Sequence, residues 1–138
     1  MAKVEKIAHL GIAVHELESA LEFYQGRLGL TLLETKEMPE RGLRIAFLKV
    51  GEVLLELLQP LHENSEVSRF LEKRGEGIHH LCLQVDDIAE SLSTLKKDGV
   101  RLVNEEPAIG AEGCPVAFLH PKSCHGVLLE LLEESPSA

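Results

Sequence analysis

The chain has 138 residues, and 14 Lys and Arg against 23 Asp and Glu give a formal charge of −9. That length suits one domain with a core of its own, and 44% hydrophobic with 27% charged residues is the composition of a folded soluble protein. The acidity argues against a nucleic-acid or anionic-membrane surface, which both need a basic stripe, and leaves room for a local basic patch toward a phosphorylated ligand.

In chain order, residues 1–6 are charged and lead to no apolar run with a cleavage site, so no targeting signal is expected. A first strand covers residues 9–14. Segment 16–28 places Leu17, Ala20, Leu21, Tyr24 and Leu28 at helical spacing, with Gly29 as the stop. Strands are expected over 30–34, 43–50 and 52–58. Asn64 or Ser65 caps a short helix through Val67, Phe70 and Leu71, which Arg74-Gly-Glu-Gly77 closes. A strand over 80–85 leads to a helix over 87–98, with Ile88, Leu92 and Leu95 on one face, Asp86 or Asp87 as cap and Gly99 as stop. Strand-like runs follow at 100–104, 115–120 and 126–132, and the polar tail 133–138 is expected to fray. The most apolar runs, 53–58 and 127–132, are each interrupted by a glutamate and are far shorter than a membrane span. Cys82, Cys114 and Cys124 are odd in number and lack Cys-x-x-Cys spacing, so neither a disulfide framework nor a thiolate zinc site is indicated. A reducing cytoplasm is the expected compartment.

The chain is written twice. His9-Leu-Gly-Ile-Ala-Val14 and His80-Leu-Cys-Leu-Gln-Val85 share a histidine followed by apolar residues ending in valine, 71 positions apart. Val53-Leu-Leu-Glu-Leu-Leu58 returns letter for letter as Val127-Leu-Leu-Glu-Leu-Leu132, 74 positions on, so one loop-sized insertion separates the halves. Each half reads βαβββ, over about residues 5–60 and 76–132, with a short helical linker between. One half is too small to bury its sheet well. Two related by an approximate twofold pack into a curved mixed sheet of an α+β fold, with a cleft inside.

The repeat singles out His9 and His80 on first strands and Glu56 and Glu130 on last strands. Under a pseudo-twofold these converge as two equivalent pairs. Strand alternation puts Glu56 with Leu54 and Leu58, so its carboxylate faces either an exposed edge or an internal polar site, and Glu130 stands likewise between Leu128 and Leu132. Two imidazoles and two carboxylates form a nitrogen/oxygen set for a divalent ion such as cobalt, zinc, manganese, nickel or iron, leaving two positions for water or substrate oxygens. Alignment with His9 selects His80 and leaves His79 a supporting role. Gln59, His62, His120 and His125 have no partner in the other half and read as structural or supporting residues, and Glu105, Glu106 and Glu112 as a solvated loop.

Paired βαβββ modules with a ligand on the first and last strand of each resemble the vicinal oxygen chelate, or glyoxalase-like, superfamily. Within it the chain is similar to the methylmalonyl-CoA epimerases along nearly its whole length. The stretches that carry this are Ile7-Ala-His-Leu-Gly-Ile-Ala-Val14, Glu56-Leu-Leu-Gln-Pro-Leu61, Gly75-Glu-Gly-Ile-His-His-Leu-Cys-Leu-Gln-Val-Asp-Asp-Ile88 and, most specifically, Phe118-Leu-His-Pro-Lys-Ser-Cys-His-Gly-Val-Leu-Leu-Glu-Leu131. The resemblance implies one divalent metal on His9, Glu56, His80 and Glu130; some epimerases carry glutamine where this chain has Glu56. It further implies inversion of the α-carbon of a coenzyme A thioester through a metal-stabilised enolate, with proton removal on one face and return on the other. Glu130 is one acid–base group, as a ligand that swings off or as a base beside the metal. Some relatives place the second on the strand after a Pro-Glu-x-Gly turn, here Pro39-Glu-Arg-Gly42, where this chain has Ile45; Glu56 or a bound water then takes that part. Lys122 with Ser123 is the expected contact to the coenzyme A phosphates, and a homodimer the expected assembly.

The nearest rival within the superfamily is a glyoxalase I-type enzyme acting on a glutathione hemithioacetal, with the same ligands and a different thiol carrier. A ring-cleaving dioxygenase needs only two histidines and one carboxylate on iron. An antibiotic-sequestering module of this fold generally lacks the ligands altogether.

Overall fold

The computed structural model describes residues 3–134. Met1 and Ala2 of the charged N-terminal stretch, and residues 135–138 of the tail expected to fray, lie outside the described residues. The elements run β1 (Val4–Ala13), α1 (Leu17–Leu21), β2 (Thr31–Met38), β3 (Leu43–Val50), β4 (Val53–Pro60), α2 (Glu66–Arg74), β5 (Gly77–Val85), α3 (Ile88–Lys97), β6 (Ala108–Ile109), β7 (Pro115–Leu119) and β8 (Leu129–Glu133). This is an α+β chain in which βαβββ occurs twice. It folds as two compact units, one over His9–His79 and the other made of the residues up to Ala8 with those from His80 on. Strand β1 therefore contributes to both.

In the unit over His9–His79 the strand order is β2-β3-β4-β1. β1 runs parallel to β4, as a βαβββ crossover requires, and β2, β3 and β4 form an antiparallel meander. One face of this sheet is apolar: Ala46, Leu48 and Leu57 bury against Val14 and Leu17, with Leu21 and Tyr24 packed around them. The helical spacing over 16–28 is real but the helix changes pitch. α1 gives way to a π-helical run over Glu22–Arg27, and Gly29 ends it with φ of 77°. β2 continues to Met38, four residues past its expected end, because β3 pairs with it as far as Met38↔Leu43 before the Pro39–Arg41 turn. Ser65 is the cap of α2, its side chain accepting from the Ser68 amide at 3.0 Å.

In the other unit the order is β1-β5-β8-β7-β6, with β5 parallel to β8 and with β8, β7 and β6 antiparallel in turn. Val85, Ala117, Leu119 and Leu131 bury against Ile88 and Leu92 of α3 on one face, while Ala8, Cys82, Val116 and Leu132 cluster on the other. Asp87 caps α3 through the Glu90 amide at 3.0 Å. The strand expected over 100–104 does not form. Leu102 makes a single bridge to Leu119, and the Asn104 side chain accepts the Phe118 amide at 2.8 Å, taking the place of a backbone ladder bond. Pairing at this edge resumes only in the two-residue β6. β8 begins at Leu129, three residues after its expected start, since His125 and Gly126 take φ of 56° and 91° and cannot continue a strand.

Both helices that start a crossover are tied to the sheet in the same way. The Leu17 amide, left open by Glu16, donates to Gln59 Oε1 of β4 at 2.7 Å, and the Ile88 amide donates to Glu133 Oε1 of β8 at 2.9 Å. Gln59 and Glu133 each stand three residues after the glutamate of the repeated block. Substituting either by alanine strands a half-buried helix-end amide. We expect Gln59→Ala to cost roughly 1 kcal/mol and Glu133→Ala, which loses a charged acceptor, about 2 kcal/mol, read as shifts of the urea midpoint.

Candidate metal centre

Glu56 lies mid-strand in β4, flanked by β1 and β3, so its carboxylate has no route to an outer edge. Its neighbours in register are Gly11 on β1 and Phe47 on β3. Residues paired across a ladder share a face, so Glu56, Gly11 and Phe47 project together, with His9 two residues before Gly11. Gly11 has no side chain to fill the space beside the carboxylate. His9 Nδ1 stands 3.0 Å from Glu56 Oε2, and the two side chains are 4% and 3% exposed.

The second unit repeats this arrangement. Glu130 of β8 is in register with Cys82 on β5 and Phe118 on β7. His80, two residues before Cys82, places Nε2 3.1 Å from Glu130 Oε1, with side chains 7% and 5% exposed. The Phe118 ring meets the His80 imidazole edge-on, centroids 5.7 Å apart at 80°. Cys82 is buried, and its sulfur lies within 4.8 Å of a Glu130 carboxylate oxygen.

Taking a carboxylate and an imidazole out of water is costly unless each meets a partner or a cation. Two buried imidazole–carboxylate pairs are a donor set consistent with a divalent metal, and nitrogen with oxygen donors suits borderline first-row ions. Cys82 adds a soft donor beside Glu130 that the residue pattern alone did not single out.

The phenylalanines carry a signal the two longer repeats overshadow. Ile45-Ala-Phe-Leu48 returns as Val116-Ala-Phe-Leu119, also 71 positions on, and each phenylalanine faces the glutamate of its own half. Ile45 shares the face of Phe47 and Glu56 and is 1% exposed, so this position of the face offers a buried hydrocarbon and no proton-transfer group.

Four of the other histidines have settings of their own. His79 turns to the opposite side of its strand from His80, toward α2, with Nε2 3.6 Å from Glu66 Oε1 and its ring 5.0 Å from that of Phe70. His62 is exposed and covers Gly42, whose φ is 66°. His120 caps the short 3-10 turn over Pro121–Ser123, its Nδ1 accepting the Lys122 amide at 3.1 Å. His125 is exposed at positive φ. Gln59 is the tether of α1. Lys122 is exposed, while the Ser123 hydroxyl accepts the Arg101 amide at 2.9 Å. Glu105 pairs with Lys96, Glu106 is exposed, and Glu112 is half-buried rather than solvated. Burial pushes the Cys124 thiol above its ordinary range, so it stays protonated near neutrality.

Comparison with known proteins places this arrangement. The profile of the Glyoxalase/Bleomycin resistance protein/Dioxygenase superfamily matches residues 8–118. The chain is 44% identical over 127 residues to the mitochondrial methylmalonyl-CoA epimerase of Homo sapiens, covering 91% of this chain and 72% of that one. It is 41% identical over 130 residues to an ethylmalonyl-CoA/methylmalonyl-CoA epimerase of Cereibacter sphaeroides, covering 93% and 97%. A solved methylmalonyl-CoA epimerase in complex with methylmalonyl-CoA and NH4+ superposes with a TM-score of 0.92 at 38% identity, over 97% of both chains.

Proposed function

Because the chain belongs to the methylmalonyl-CoA epimerases of the glyoxalase/bleomycin resistance/dioxygenase superfamily, we propose that it interconverts the two epimers of methylmalonyl-CoA. The observation that carries this reading is the pair of buried His–Glu couples on matched strands, His9 with Glu56 and His80 with Glu130. In this proposal the four side chains ligate one divalent ion, and the whole chain is a single domain of two βαβββ modules, about 5–60 and 76–132. When bound, the ion supplies Lewis-acid polarisation of the thioester carbonyl.

The acidic hydrogen sits on a carbon between a carboxylate and a thioester. Glu130 takes it, and the electron pair of the C–H bond moves onto the thioester carbonyl. Glu56, protonated at that point, gives its proton to the opposite face, which inverts the centre and leaves Glu130 protonated and Glu56 ionised, so in the reverse direction the two exchange parts. Ile45 cannot transfer a proton, so the second role falls to Glu56 as the symmetry mate of Glu130. Phe47 and Phe118 line the same faces and keep water from quenching the carbanion. Lys122 and Ser123 meet the phosphates of coenzyme A. Among the described residues no helix is long and apolar enough to cross a membrane. A cytoplasmic location fits the three cysteines, all of them thiols. A homodimer fits the exposed Phe23, Leu28 and Leu33, apolar surface that a second copy would cover.

The test is proton exchange. Cobalt-reconstituted protein in deuterated water should erase the α-proton NMR signal of methylmalonyl-CoA at a catalytic rate. A metal-loaded protein that leaves the signal intact would overturn the epimerase reading.

A further inference from the structure

The halves agree closely where they carry the His–Glu couples and differ in one place. The histidines and the Ala-Phe-Leu blocks keep a separation of 71 residues, and the next block stands 74 apart, so the three extra residues fall between Leu119 and Val127. In the first half β3 and β4 are joined by residues 51–52 alone, whereas β7 and β8 are joined by residues 120–128.

This longer connection is a built turn. Ser123 N donates to His120 O at 2.9 Å, Cys124 N to Pro121 O at 3.0 Å and Gly126 N to Pro121 O at 2.9 Å. His125 holds φ of 56°, a conformation a non-glycine residue keeps only where its surroundings fix it. The turn also clasps a neighbouring segment. Arg101 N donates to Ser123 Oγ at 2.9 Å, Arg101 O accepts from His120 N at 2.9 Å, and Leu102 bridges Leu119. Arg101 and Lys122 are therefore two exposed cations on one hydrogen-bonded platform, and among the described residues neither has a carboxylate partner. The platform leads directly into the strand that carries Glu130.

A twofold-repeated site suits the reacting end of a thioester, where two oxygens flank one carbon. It does not tell that end from the carrier. Coenzyme A is unsymmetrical, with its phosphates beyond the pantetheine arm, so a repeated scaffold needs one unrepeated element to fix which way the substrate lies. We propose that the inserted turn is that element: Arg101 joins Lys122 in gripping the carrier's phosphates, and Ser123, accepting from Arg101 N, holds the pair in register while its own O–H remains a donor to the anion. This rests on the epimerase reading for its substrate and adds Arg101 and the orienting role to it.

The test measures binding of coenzyme A and of pantetheine by calorimetry, for the wild type, Arg101→Ala, Lys122→Ala, the double variant and Lys97→Ala as an equal charge change on α3. Each single variant should weaken coenzyme A roughly tenfold and the double variant further, as loss of charge-assisted phosphate contacts does. Pantetheine should be unaffected, Lys97→Ala should match the wild type, and Arg101→Lys should restore part of the loss. In turnover, KM for the coenzyme A thioester should rise with kcat unchanged. Wild-type coenzyme A affinity in the double variant, equal weakening of pantetheine, or no coenzyme A binding by the wild type would each overturn the inference. Coenzyme A binding that depends on Arg101 and Lys122 without any α-proton exchange would overturn the epimerase reading instead and leave this inference standing. Exchange with an unchanged KM in the double variant would do the reverse.

Discussion

Glu130→Gln should lower epimerisation by roughly 10²–10⁴-fold, the range expected when a positioned acid–base group is removed. Glutamine keeps the size of the side chain and an oxygen acceptor 3.1 Å from His80 Nε2, so β8 and its contacts to Leu131 and Leu132 should survive, and the melting temperature should change little. The informative measurement follows α-proton exchange separately for each epimer. With two groups on opposite faces, Glu130→Gln should lose exchange for one epimer and retain it for the other, without inversion. Glu56→Gln should show the complementary pattern. Loss of exchange for both epimers in Glu130→Gln, with Glu56→Gln near wild type, would mean that Glu130 alone moves the proton and that Glu56 is a ligand only. Ile45 is a 1% exposed hydrocarbon that cannot move a proton, so the comparison of Glu130→Gln with Glu56→Gln separates the two assignments directly.

Much of this site is legible in the sequence because repetition turns weak signals into paired ones. A histidine opening an apolar strand or a glutamate between leucines means little alone; the same residues at matched offsets pick out His9, Glu56, His80 and Glu130, and the structure sets each histidine against the glutamate of its own half. The three-letter Ala-Phe-Leu echo is too short to stand out until the strand register puts Phe47 opposite Glu56 and Phe118 opposite Glu130. Gln59 and Glu133 look unrelated because they differ in type, yet both accept a helix-end amide, a task for which amide and carboxylate oxygens serve equally. The failure over 100–104 is of another kind. Val100, Leu102 and Val103 have strand propensity, but Asn104 satisfies the Phe118 amide with its side chain, and Pro107 has no amide to extend a ladder. Edge pairing is decided by such local competition, which hydrophobic pattern does not record.

Adding cobalt or zinc to metal-free protein should raise its melting temperature markedly. A ligand that binds only the folded state stabilises it by about 4 kcal/mol at a free concentration of 1,000 times its Kd. For a domain of this length, each kcal/mol is worth roughly 3–5 °C, so the shift should be about 10–20 °C. The metal-free fold should persist, because each buried imidazole already faces a carboxylate, at 3.0 Å for His9 and 3.1 Å for His80. The same experiment sorts the donors. His9→Ala and His80→Ala should each remove most of the shift, whereas Glu56→Gln, which keeps an oxygen donor, should retain much of it. Cys82 is the control that makes the assignment sharp, since its sulfur lies within 4.8 Å of a Glu130 oxygen. Cys82→Ala should lower the metal-free melting temperature through lost packing with Ala8, Val116 and Leu132 while leaving the metal-induced shift unchanged. A shift that collapses in Cys82→Ala would instead make the thiolate a ligand, and would favour softer ions in the site.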